Sequence, residues 1–175
     1  MNIFLPIPAS EGRLKSIMTE ISASFQRVQE ALDQSGLGLE VVELPKSTRT
    51  AQEAADAVGC ELGQIVKSLI LRGSDSDRPY LVLVSGSNRA NLEQIGQVMG
   101  EPVQMADADF VRQRTGFSIG GVAPVGLSES IQTLIDQDLL QHEIIWAAAG
   151  TPRSVFSLSP DNLLELTSGN VENIN

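Results

Sequence analysis

Gly63-Gln64-Ile65-Val66-Lys67-Ser68-Leu69-Ile70-Leu71-Arg72 leads through Gly73-Ser74-Asp75-Ser76-Asp77-Arg78 into Pro79-Tyr80-Leu81-Val82-Leu83-Val84-Ser85, and this stretch decides the fold. Two apolar runs of strand length flank a short segment of turn-forming Gly, Ser and Asp. That pattern predicts a β-hairpin, with strands over 64–72 and 79–85. Lys67 interrupts the first run. Alternate strand side chains face opposite ways, so Lys67 shares a face with Ile65, Leu69 and Leu71. An ammonium group among apolar neighbours is costly unless something accepts its protons. A partner carboxylate, an anionic ligand, a guard against edge-to-edge aggregation and a lysine that snorkels to water are all open readings.

Outward from the hairpin, strands and short helices interleave without internal repeat. Leu14, Ile17, Met18, Ile21, Phe25, Val28 and Leu32 form a helical stripe over 11–34, ended by Gly36 and Gly38. Leu39 to Leu44 reads as a strand closed by Pro45. Thr50-Ala51-Gln52-Glu53 reads as a capping box, with Glu53 reaching back to Thr50, and the Ala-rich helix it opens stops at Gly59. Helices are expected over 91–99 and 107–115, ended by Gly100 and Gly116, with Asp107 capping the second. Strands are expected over 143–149 and 154–158, and a last helix over 160–166 with proline in its first turn. Hairpin-like connections among these elements favour an α+β fold with a mixed sheet over a doubly wound one.

The chain has 175 residues, 42 % of them hydrophobic and 19 % charged, as expected of one globular domain. No apolar run approaches the roughly 18 residues of a membrane span. The apolar start, Met1 to Pro8, lacks a basic region and is broken by Pro6 and Pro8, so it does not read as a signal peptide. Cytoplasmic location is the expectation. With 12 Lys+Arg against 22 Asp+Glu, the net charge is −10, which excludes a conventional basic nucleic-acid binder. Lys46 with Arg49, Arg112 with Arg114, and Lys67 with Arg72 cluster slightly, but none makes a basic run.

Conventional catalytic machinery is missing. There is one histidine, His142, one cysteine, Cys60, and no HExxH, GxSxG or P-loop pattern. No metal or cofactor is expected, and an enzyme built this way would work by positioning and electrostatics. Gly116-Phe117-Ser118-Ile119-Gly120-Gly121-Val122-Ala123-Pro124-Val125-Gly126 is the second feature of interest. Adjacent glycines leave a bare backbone that can hold a ligand or aim its amides at an oxyanion. They equally mark a bulge or sharp bend in a strand.

In combination these features resemble the YbaK/ProX superfamily of aminoacyl-tRNA editing domains, relatives of the insertion domain of bacterial prolyl-tRNA synthetases. The resemblance runs from about Leu39 to Ile174. It rests on Arg49-Thr50-Ala51 with Glu53-Ala54-Ala55, on Gly63 to Leu69, on Gly120 to Pro124, on Ala149-Gly150 and on Leu158 to Leu163. It implies one editing-type domain over 1–175, with a helical region over 1–38 ahead of the matching part. It implies a mixed, largely antiparallel barrel-like sheet surrounded by helices.

The implied activity is hydrolysis of the ester joining a small, wrong amino acid to the 3′ end of tRNA. Lys67 matches the family's functional lysine, and Gly120 to Pro124 match its GxxxP loop. The implied substrate-binding residues are Ser68, Ser118, Gly120, Gly121, Pro124 and Gly150. An aminoacyl ester is already activated, so a positioned water or the neighbouring ribose hydroxyl can attack it. Ala147-Ala148-Ala149 and Thr151 to Val155 stand where the cysteine-clearing branch carries polar side chains, which favours the ProX-like side. The acidic charge implies help from a synthetase or a delivery factor in capturing tRNA. A non-catalytic module that recognises tRNA ends or a synthetase is the alternative. It predicts a Lys67 satisfied by a carboxylate and a closed cleft at Gly120.

Overall fold

A computed structural model describes the chain from residue 9 to residue 175. Within the first helix, side chains are described at Met18, Thr19 and from residue 23 onward. The apolar start and the stripe positions Leu14, Ile17 and Ile21 lie outside the described residues or side chains. The elements are α1 (Ala9–Ser35), β1 (Val42–Glu43), α2 (Ala51–Val58), β2 (Ile65–Gly73), β3 (Pro79–Ser85), α3 (Leu92–Met99) and β4 (Val103–Met105). They continue with α4 (Ala108–Thr115), β5 (Gln132–Asp136), β6 (Ile145–Ala148), β7 (Ser154–Leu158), α5 (Pro160–Thr167) and β8 (Asn170–Glu172). Short 3-10 turns at Leu62–Gln64 and Gln137–Gln141 lead into β2 and follow β5.

The eight strands form one sheet in the order β1-β7-β6-β2-β3-β5-β8, with β4 added to the far end of β2. Four of the seven strand pairs are antiparallel and three parallel, the mixed α+β architecture expected. The hairpin forms as read, from Val66 opposite Ser85 to Arg72 opposite Pro79. Every residue of β3 is buried, because helices cover both faces of the sheet. Its side chains divide with period two. Leu81 and Leu83 join Val66, Ile70, Phe117, Phe156, Val28 and Leu32 in the larger core, while Tyr80, Val82 and Val84 pack with Leu71, Ile95 and Leu134 on the opposite side.

Helix ends follow the local chemistry. The side chains of Thr50, Asn91, Asp107 and Ser159 each accept the backbone N–H three residues on, and Gly59, Gly100 and Gly116 close three of these helices in the left-handed conformation. One detail differs: the Glu53 carboxylate accepts the N–H of Arg49 at 2.6 Å rather than that of Thr50. The strand expected over 39–44 is reduced to Val42–Glu43, because only that part meets β7. Met18, assigned to the buried stripe, is 69 % exposed, whereas Val28 and Leu32 are fully buried. β4, β5 and β8 were not expected. Leu134 and Ile135 make β5 a core strand beside β3, yet the run is five residues long and broken by Gln132, Thr133 and Asp136.

Candidate active site

A cleft of about 380 Å³ opens beside β2. One wall is the segment Thr48 to Ala51 at the start of α2, another is β6 with Trp146 and Ala147, and a third is the loop carrying Ile119 and Gly120. Ile65, Val66, Lys67, Ser68 and Leu69 all line it. Side chains of both strand faces reach one cleft only if the cleft runs along the strand's edge.

Lys67 stands at this edge, half-buried. Its Nζ donates to the carbonyl of Gly86 at 3.2 Å and to that of Asn88 through a shorter bond. Main-chain carbonyls, rather than the carboxylate anticipated as one option, therefore accept its protons. An ammonium has three donors, so one is unused among the described residues. Burial pushes the Lys67 pKa down, the nearby Asp136 carboxylate opposes that shift, and Arg89 adds to it.

The turn that receives Lys67 is itself held by Asp136, which is fully buried at the end of β5. One oxygen of its carboxylate accepts the Ser85 N–H at 3.0 Å and the Asn88 side-chain amide at 2.9 Å, and the other accepts the Asp138 N–H at 3.1 Å. Asn88 also donates to Asp138 at 2.7 Å. Sequence reading missed this network, because β5 carries no strand pattern of its own.

The glycine-rich segment is a loop rather than a bent strand. The Gly121 N–H closes a four-residue turn on the Ser118 carbonyl at 3.0 Å, with Gly120 at φ +87° in its third position, where a side chain is disfavoured. Arg27 of α1 pins the loop, donating to the Gly116 carbonyl at 2.8 Å and lying 4.5 Å above the Phe117 ring.

Of the seven residues singled out, Lys67, Ser68 and Gly120 line the cleft. The other four do not line it, although Gly121 sits between two residues that do. A Cβ on Gly121 would come within 2.9 Å of the backbone of Gly150 and Thr151, so this glycine lets two loops touch. Gly150, at φ +90°, similarly makes room for the Ser24 carbonyl of α1. Pro124 is buried and borders a separate depression next to α1 and α5. Ser118 is exposed and accepts a hydrogen bond from Arg112 at 3.1 Å.

Thr151 and Ser154 both line the cleft and are buried, and their hydroxyls bond each other at 2.6 Å. The region near Gly150 is thus more polar than its sequence suggested, though its hydroxyls are mutually engaged. Cys60 offers no activated nucleophile, since burial raises its thiol pKa. His142 follows a 3-10 turn and lies next to Gly63, partly buried. Among the described residues no three His, Cys, Asp or Glu side chains converge as a metal site requires.

The model of the aminoacyl-tRNA editing domain matches residues 45–166, which include the α2 wall, β2, the glycine loop and the β6–β7 turn. The chain belongs to the aminoacyl-tRNA editing domain family. It is 30 % identical over 132 residues to the uncharacterised protein YwhH of Bacillus subtilis, covering 75 % of this chain and 83 % of that one. It is 26 % identical over 121 residues to EbsC of Enterococcus faecalis, described as a candidate Cys-tRNA(Pro)/Cys-tRNA(Cys) deacylase, covering 69 % and 73 % of the two chains. The proline–tRNA ligase of Thermosipho melanesiensis matches over 100 residues at 36 % identity, 57 % of this chain but only 17 % of that enzyme. Among solved structures, a candidate trans-editing enzyme for prolyl-tRNA synthetase superposes with a TM-score of 0.82 at 50 % identity, covering 87 % of this chain and 96 % of the other.

Proposed function

We propose that this editing domain acts in trans as a metal-independent aminoacyl-tRNA deacylase, hydrolysing the ester of a small amino acid wrongly attached to the 3′ end of tRNA. The observation that carries the reading is the open cleft in which Lys67, Ser68 and Gly120 meet. A non-catalytic module would favour a filled cleft and a Lys67 neutralised by a carboxylate, and neither matches this geometry. The free donor of Lys67 anchors the terminal ribose or phosphate. Water attacks the ester carbonyl carbon, the bond to the ribose oxygen breaks, that oxygen takes up a proton given up by the water, and the amino acid leaves as its carboxylate. The protein orients the ester and stabilises the negative charge on the carbonyl oxygen.

The walls formed by Ala147, Ala148, Val155 and Val122 leave room for a small aminoacyl side chain. A methylene in such a pocket is worth about 1–3 kcal/mol, so amino acids of similar size are cleared with overlapping efficiency. Alanine, serine and threonine esters are the expected substrates. The whole chain acts as one domain in the cytoplasm, and its net charge of −10 favours tRNA presented by a synthetase or delivery factor. No helix among the described residues is long and apolar enough to cross a membrane. The test is a deacylation assay on a panel of mischarged tRNAs beside correctly charged tRNA. Hydrolysis of small esters with bulky aliphatic and aromatic esters spared is expected, and no hydrolysis of any member would end the reading.

A further inference from the structure

The edge of β2 that faces the cleft has a break in its pairing. On one side β2 is bonded to β3 along its whole length. The Gly86 N–H donates to the Ile65 carbonyl and the Gly73 N–H to the Arg78 carbonyl, so odd-numbered residues from 65 to 73 turn their main-chain groups toward β3. Even-numbered residues turn theirs the other way, as the bond from the Ala106 N–H to the Ile70 carbonyl shows. On that second side, β6 pairs only with Ile65 and Val66, and β4 only with Leu71 to Gly73. Between the two ladders lies Ser68. Its N–H and C=O point into the interval with no strand opposite them among the described residues, and its Oγ is buried without a hydrogen-bond partner among those residues. Ser68 also lines the cleft.

Unpaired strand edges accept another chain through two bonds to one residue, N–H to carbonyl and carbonyl to N–H. An aminoacyl ester carries the complementary pair on a single residue, an ester carbonyl and an α-ammonium group. We propose that the aminoacyl end of the substrate binds as a one-residue strand across this interval, with the Ser68 N–H on the ester carbonyl oxygen and the Ser68 carbonyl on the α-ammonium.

The Ser68 hydroxyl supplies a second acceptor to the ammonium. The Ser68 N–H then faces the oxygen on which negative charge develops, and so serves as an oxyanion donor. This arrangement reads the features common to all amino acids and leaves the side chain to the cleft walls. It rests on the deacylase reading above and adds to it a specific recognition of the free α-amino group.

The test compares alanyl-tRNA with lactyl-tRNA, in which a hydroxyl replaces the ammonium, each rate being divided by that of the same ester in buffer alone. The normalised kcat/KM of the lactyl ester is expected to be about 10- to 100-fold lower, the loss of a charged hydrogen bond. Ser68→Ala is expected to narrow that ratio. In parallel, the 15N-labelled protein is saturated with 3′-deoxy-3′-(L-alanylamino)adenosine, whose amide resists hydrolysis. The Ser68 amide proton is expected to move downfield while that of Arg72, already paired with β4, stays. Equal normalised rates with an unmoved Ser68 amide overturn the inference and leave the deacylase standing. Turnover of neither ester, nor of any other small mischarged ester, removes both.

Discussion

From Ile70 to Gly73, β2 is held on both edges, by β3 and by β4, and its turn is closed by Glu101; from Lys67 to Leu69 the same strand is held on one edge only. The two halves are similarly apolar in sequence, each with one cation, Arg72 in the first case and Lys67 in the second. Arg72 bonds Asp77 across the turn and lies 4.9 Å above the Phe110 ring of α4, so its charge is engaged by the hairpin turn and by the helix beside it. Lys67 meets two carbonyls, has a third donor unused among the described residues, and lines a cleft. On the proposed deacylase reading, what separates a structural cation from a functional one is the pairing state of the strand beside it.

The strongest way to break that contrast is to remove Lys67. Lys67→Ala deletes the free donor, and deacylation of a small mischarged tRNA is expected to fall about 10- to 150-fold. Its melting temperature should hardly change, because the carbonyls of Gly86 and Asn88 lie at a partly exposed rim. Single-turnover deacylation beside a thermal melt measures both. An active mutant would return Lys67 to the role that Arg72 has. Lys67→Arg sharpens the point, since a planar guanidinium keeps the charge but cannot meet the same two carbonyls in the same way.

Gly121→Val comes next, and the expected direction reverses what the glycine pair alone suggests. The added side chain meets the backbone of Gly150 and Thr151, which cannot step aside as a flexible side chain would. The cost is to stability, about 1–3 kcal/mol as for other overpacked contacts. Gly120→Ala has open space around its Cβ and meets only the left-handed strain of φ +87°, roughly 1 kcal/mol. Urea unfolding of the two variants should therefore rank Gly121→Val as the less stable. The opposite ranking would mean that the loops are not in contact as described.

Asp136→Ala tests the support beneath Lys67. It leaves the Ser85 and Asp138 N–H groups without their carboxylate acceptor and takes from the Asn88 side-chain amide one of its two acceptors, with a cost of about 1–3 kcal/mol. Because Asn88 supplies one of the carbonyls under Lys67, activity should fall further than the folded fraction does. A fall in activity that merely tracks unfolding would confine Asp136 to the core.

These contrasts also explain what was legible in the sequence. The hairpin, the four helices after α1, the caps at Thr50 and Asp107 and the strands around 145–158 were readable, since each depends on local periodicity and turn chemistry. Lys67 was conspicuous because it violates its own strand. β5 was invisible, because Gln132, Thr133 and Asp136 dilute a run that becomes a strand only through its place beside β3. For Gly121 and Gly150 the need for glycine was legible but not the reason. Sequence shows that a Cβ is unwelcome, and only tertiary structure shows whether a ligand or another backbone occupies the space. The walls supplied by Arg49 and Trp146, and the interval at Ser68, depend on which strands end where, which no local pattern encodes.

The smallest effect at neutral pH belongs to the closed half of β2. The Glu101 carboxylate collects the N–H groups of Asp75 and Ser76, each at 2.9 Å, together with the hydroxyls of Ser76 and Tyr80. Those donors favour the ionised form and hold its pKa at about 2, below the ordinary 4.5. A carboxyl group whose folded pKa is depressed stabilises the protein fully above its unfolded pKa, and loses that contribution as pH falls through the interval toward the folded one. Glu101→Gln should therefore melt below the wild type at pH 7, and the gap should close progressively between about pH 4.5 and pH 2. Deacylation at neutral pH should be unchanged in the variant, because Glu101 serves the paired end of the strand and touches nothing in the cleft. A gap that stayed constant with pH would show that the turn is held by shape rather than by charge. A loss of activity without a loss of stability would show that the two halves of β2 are coupled after all.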